Sequence, residues 1–102
     1  MSNALDDLIA AVEANDWQDM ALAYALKGVN PTHVRHAYKG SLDAAKALHE
    51  AALPGWEWEL HQSASILWRD SDTENAILQF NDTPARAWLL AILRAMKEQA
   101  SD

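Results

Sequence analysis

The chain has no cysteine, only three glycines and three prolines, and no long apolar run. Without cysteine there is no disulfide, no thiolate nucleophile and no Cys-ligated zinc, and nothing suggests a disulfide-stapled secreted scaffold. Scarce glycine leaves little material for loops that cradle phosphate, and no GxSxG, P-loop or dinucleotide fingerprint is present. No apolar stretch approaches the roughly 18 residues that a membrane span needs. The opening Met1-Ser2-Asn3-Ala4-Leu5-Asp6-Asp7 lacks a basic segment followed by an apolar one, so a cytoplasmic protein without a secretory signal is expected.

What is present is a globular composition: 102 residues, 50% hydrophobic and 23% charged, enough to bury one core but not two. A single domain over 1–102 is expected, with a helical part and loop over 1–40 and an α-β-β-β-α part over 41–99. The net charge of −7 is unevenly distributed. Residues 1–19 carry five acids and no base. Residues 20–49 set Lys27, Arg35, Lys39 and Lys46 against Asp43, with His33, His36 and His49 alongside. Residues 50–82 hold Glu50, Glu57, Glu59, Asp70, Asp72, Glu74 and Asp82 against Arg69 alone. A basic strip thus lies between two acidic ones.

Leu5, Leu8, Ile9 and Val12 fall at helical spacing, with Asn3 placed to cap and Asp6 in the first turn. Asn15-Asp16 interrupts that pattern, and Trp17, Met20, Ala21, Tyr24 and Ala25 form a second stripe that ends near Gly28. Residues 29–40 show no clean period and contain the turn-forming Asn30-Pro31-Thr32, so they read as a loop holding at most a short turn of helix. Ser41 then caps a helix whose shared face is Leu42, Ala45, Leu48 and Ala52, and Pro54-Gly55 stops it.

Trp56-Glu57-Trp58-Glu59-Leu60-His61 alternates without a fault, sending the tryptophans and Leu60 to one face and Glu57, Glu59 and His61 to the other. Ala64, Ile66 and Trp68 alternate with Ser65, Leu67 and Arg69. Ala76, Leu78 and Phe80 alternate with Asn75, Ile77 and Gln79, beyond an Asp70-Ser71-Asp72-Thr73 turn. Asp82 or Thr83 caps a last helix with Pro84 at its first position and Trp88, Leu89, Ile92, Leu93 and Met96 on its buried side, running to about Gln99. The order α-α-loop-α-β-β-β-α predicts an α+β fold with a three-stranded antiparallel sheet packed between helices, since so small a sheet needs a covered face. Leu67 and Ile77, opposite the other apolar residues of their strands, argue that both faces are partly covered.

Ser41-Leu42-Asp43-Ala44-Ala45, Leu53-Pro54-Gly55-Trp56-Glu57-Trp58 and Thr83-Pro84-Ala85-Arg86-Ala87 with its Leu/Ile-rich helix together resemble small uncharacterised phage and prophage proteins of the phage α-β-α sandwich domain type. The likeness covers residues 41–96 and is loose before them. It implies a fold and a phage-linked origin, and brings no known activity or catalytic residue. The same motifs also serve as a helix stop before a strand and a proline-started helix.

Several chemistries compete for the polar residues. The α-β-β-β-α order is also that of double-stranded-RNA-binding domains, but the strand region is the most acidic part of the chain, and phosphate binding needs bases. Direct nucleic-acid binding is therefore not expected, and Trp56, Trp58 and Trp68 read as core residues. His33 and His36 have helical metal-ligand spacing, with His49 and Glu50 or His61 and Glu59 as companions, yet no zinc signature forms. Asp70 to Asn75 begins like a calcium loop but has Asn75 where glycine and Asn81 where a bidentate acid are required. No metal and no cofactor is expected. Glu57 and Glu59 share a strand face without a nucleophile or partner histidine of known geometry, so no enzyme is expected.

Recognition through a surface remains. Glu57, Glu59, Asp70, Asp72 and Glu74 offer a negative field to a basic protein partner. Two readings follow: an acidic, anti-CRISPR-like inhibitor of a host nucleic-acid-binding defence complex, and an accessory of the phage particle that acts through oligomerisation. A homodimer anchored by Trp17 or Trp88 belongs with the second reading.

Overall fold

The computed structural model describes residues 4–14, 30–62, 64–69, 72–81 and 83–100. The Asn3 cap and the helix expected over 17–28 lie outside them. Four described helices and three strands follow in the predicted order: α1 (Ala4–Glu13), α2 (Pro31–Tyr38), α3 (Leu42–Ala52), β1 (Trp56–Leu60), β2 (Ala64–Arg69), β3 (Asp72–Phe80) and α4 (Pro84–Ala100). The class is α+β, with helices flanking an antiparallel sheet of order β1-β2-β3.

Local chemistry explains most boundaries. Asn30 caps α2, its Oδ1 accepting from the Thr32 N–H at 2.9 Å, and Pro31 takes the first turn where no amide donor is needed. This corrects the expected loop. The residues that read as a turn are a helix start, and Val34, Ala37 and Tyr38 give two turns of helix a buried stripe. At its end Gly40 donates to the Ala37 carbonyl and Ser41 to that of His36, a Schellman closure that needs the positive φ of 106° at Gly40.

Ser41 Oγ accepts from the Ala44 N–H at 3.1 Å and opens α3. The buried face of α3 is Ala44, Ala45, Leu48 and His49. Leu42, expected inside, is 45% exposed. Leu53-Pro54-Gly55-Trp56 forms a turn closed by Trp56 N–H to the Leu53 carbonyl at 3.1 Å, with Gly55 at φ 87°. Between the two possible caps of α4, Thr83 holds the place, its Oγ1 accepting from the Arg86 N–H at 3.1 Å.

Helix α4 is central. It is buried almost continuously from Ala85 to Leu93 because it packs on β2 and β3 on one side and on α1, α2 and α3 on the other. The sheet face it covers is that of Trp58, Ser65, Leu67 and Ile77, with Leu67 fully buried. Thus Leu67 and Ile77, the apparent exceptions in their strands, mark the covered face. Ile66 and Trp68 are half-buried on the other face, where Leu78 and Phe80 are exposed.

Candidate interaction surface

Strand β1 is an edge strand, and its alternation sorts the chemistry. Trp56 and Trp58 turn inward, Glu57 and Glu59 outward. The inward residues meet a histidine. His49, 1% exposed, donates from Nε2 to the Trp56 carbonyl at 2.9 Å, while its Nδ1 accepts from Trp88 Nε1 at 3.1 Å. The Trp88 indole can only donate, so the imidazole is the neutral Nε2–H tautomer. Trp58 stacks on Trp88 with centroids 5.3 Å apart and meets the His49 ring edge-on at 5.0 Å. Burial pushes the His49 pKa below its ordinary value, partly offset by the Trp56 carbonyl and the Glu50 carboxylate. Trp88, 2% exposed and bonded to His49, is a core residue and not the dimer anchor the sequence allowed. Trp17 lies outside the described residues.

Outward, Glu57 accepts from Trp68 Nε1 at 2.8 Å, and Glu59 bonds His61 Nε2 at 3.1 Å. Both carboxylates are exposed. Asp72 and Glu74 fall on β3, the opposite edge strand, with Asp72 opposite Arg69 in the backbone register at the end of the sheet where Trp56 lies. Asp70 lies outside the described residues. With strands about 4.8 Å apart, β1 and β3 are separated by about 10 Å, close to a Debye length at ~0.1 M salt. The backbone therefore places Glu57 and Glu59 on one edge strand and Asp72 and Glu74 on the other.

Two recesses border this region. One, of about 370 Å³, is lined by Trp56, Glu57, Trp58 and Trp68 at the β1 edge. The other, of about 540 Å³, lies between β3 and α4 beside Ile77, Gln79, Arg94 and Lys97. Its cations brace the fold: Arg94 bonds Gln79 and Glu13, and Lys97 pairs with Asp6 at 2.8 Å. Among the described residues no group of three or more His, Asp or Glu side chains could hold a metal, and no helix is long and apolar enough to cross a membrane. His33 and His36 stand on α2, whereas His49 is enclosed by tryptophans.

Sequence reasoning missed the outer apolar patch of Leu78 and Phe80. Their alternation with Ile77 was visible, but which of the two apolar faces α4 would cover was not. No family model matches the chain, and neither a curated protein nor a solved structure matches it.

Proposed function

We propose that this chain is a non-catalytic, phage-derived protein-binding domain whose acidic sheet edge engages a basic partner. The observation that carries the reading is the joint exposure of Glu57 and Glu59 on one side of an edge strand. Carboxylates so placed attract a basic surface at long range and pair with it at contact. A nucleic-acid-binding complex of host defence fits that description, because its nucleic-acid groove is basic. Glu57, Glu59, Asp70, Asp72 and Glu74 would then make the contact, in the manner of an acidic anti-CRISPR-like inhibitor.

A second reading has its own observation. Leu78 and Phe80 are 47% and 66% exposed on the outer face of β3, which suits oligomerisation of a phage-particle accessory protein. Capture from bacterial lysate at low and high salt separates the two. The first reading expects a nucleic-acid-binding complex that is retained at low salt, released at high salt, and lost with Glu57→Lys/Glu59→Lys. A folded double variant that keeps the complex would falsify it. Recovery of the chain itself or of particle components, independent of salt and lost with Phe80→Ser, supports the second.

A further inference from the structure

The hydrogen-bond phase of β1 shows which backbone groups its free edge offers. The His61 N–H donates to the Ala64 carbonyl at 2.9 Å, and the register runs on through Glu59↔Ile66 and Glu57↔Trp68. In an antiparallel ladder bonded and non-bonded pairs alternate, so 57, 59 and 61 bond to β2, while Trp56, Trp58 and Leu60 turn their N–H and C=O away from it. Trp56 confirms this phase: its N–H goes to Leu53 and its C=O to His49. Those two contacts close the edge at its first residue. The N–H and C=O of Trp58 and Leu60 follow, with no hydrogen-bond partner among the described residues.

We infer that the open edge of β1 at Trp58 and Leu60 takes an extended basic segment of the partner as a fourth strand. This rests on the protein-binding reading and specifies its mode. Side chains of an added strand alternate as those of β1 do. On the outer side they meet Glu57 and Glu59, which select Lys or Arg; Trp68 fixes one oxygen of Glu57 and leaves the other to accept. On the inner side they meet Trp58, 39% exposed and held by its stack on Trp88, which selects an apolar residue. The recess of about 370 Å³ lies beside this strand. The occupant is thus an alternating basic and apolar segment. A second copy of this chain does not fit, because antiparallel pairing of two β1 strands sets Glu57 and Glu59 against their own equivalents.

The test is calorimetric titration of the full chain at low salt with a short synthetic peptide alternating Arg and Val. Two controls accompany it: the same residues in blocks, and the alternating peptide N-methylated on the amides that would face β1. The alternating peptide should bind, the N-methylated peptide at least about tenfold more weakly for the loss of two or more hydrogen bonds, and the block peptide more weakly because its side chains no longer place Arg against Glu57 and Glu59 and Val against Trp58. Amide exchange at Trp58 and Leu60 should slow when the alternating peptide is bound. No binding, equal binding of the N-methylated peptide, or unchanged exchange at both amides overturns strand addition. Binding unaffected by Glu57→Lys/Glu59→Lys overturns the basic chemistry. If charge reversal abolishes capture of the partner while N-methylation is harmless, the acidic surface stands and only its strand-addition mode falls.

Discussion

His49 makes the stability of this domain depend on pH in a calculable direction. Its ring is neutral, enclosed, and bonded at both nitrogens by groups that require the Nε2–H tautomer. In the unfolded chain the same ring takes a proton near its ordinary pKa of 6.5. In the fold, burial holds the pKa lower, and protonation would set a second N–H against the Trp88 donor. As pH falls below 6.5 the unfolded state therefore binds the proton first, and stability drops until the folded pKa is reached. For one group the slope approaches about 1.4 kcal/mol per pH unit. Above the unfolded pKa the contribution is complete and flat. Against a domain stability on the order of 5–15 kcal/mol, that loss is readily measured.

The assay is urea denaturation followed by tryptophan fluorescence, in steps from about pH 5.5 to 7.5, the range that brackets an ordinary histidine. Comparison with His49→Gln removes the contribution of carboxylates, which titrate in both proteins. Gln can donate to the Trp56 carbonyl and accept from Trp88 but does not ionise, so its curve should be flatter and should converge on or cross the wild type toward acid. His49→Ala strands the Trp88 N–H and the Trp56 carbonyl, at about 1–3 kcal/mol each, and should be strongly destabilised at every pH. Parallel curves for wild type and His49→Gln would refute the neutral, buried assignment.

Two further substitutions probe the frame around the site. Ser65 is fully buried and its Oγ has no hydrogen-bond partner among the described residues, so Ser65→Ala should raise the urea midpoint by a stabilisation of about 1 kcal/mol; a lower midpoint would contradict this. Gly40 has φ 106°, and a Cβ added there would meet nothing within 4 Å. Gly40→Ala should cost about 1–2 kcal/mol through backbone strain alone, measured as a lower melting temperature with an unchanged circular dichroism spectrum.

Sequence signals that act within one turn of chain were legible: the Ser41 cap, the Pro54-Gly55 stop, the Thr83-Pro84 start and the alternation of β1. Signals shared by two structures were not. Asn30-Pro31 suits a turn or a helix start equally, and only the packing of Val34, Ala37 and Tyr38 decides it. The strands β2 and β3 are apolar on both faces, so alternation could not say that Leu67 faces α4 and Leu78 faces outward; register with β1 and burial under α4 do. Glu57 and Glu59 could be placed on one face from spacing. The free edge beside them, its bond phase, and the meeting of His49 with tryptophans 7 and 39 residues away depend on tertiary contacts.

The remaining question is whether the edge acids recognise a partner or only guard the strand. An exposed edge invites pairing with other chains, and charged side chains of either sign discourage it. Lysines at 57 and 59 would guard β1 as well as glutamates do, so Glu57→Lys/Glu59→Lys should leave the oligomeric state unchanged and cause no aggregation if guarding is the only role. Each such change moves the charge by two units, taking the chain from −7 to −3. A control must match that shift elsewhere: Asp7→Lys/Asp43→Lys alters two exposed acids in the first turns of α1 and α3, at about 0.3–1 kcal/mol each from the helix dipole. If bulk charge drives binding, both pairs weaken it alike. If the edge recognises the partner, the control retains binding and the edge pair loses it, because sign at 57 and 59 matters where sign at 7 and 43 does not.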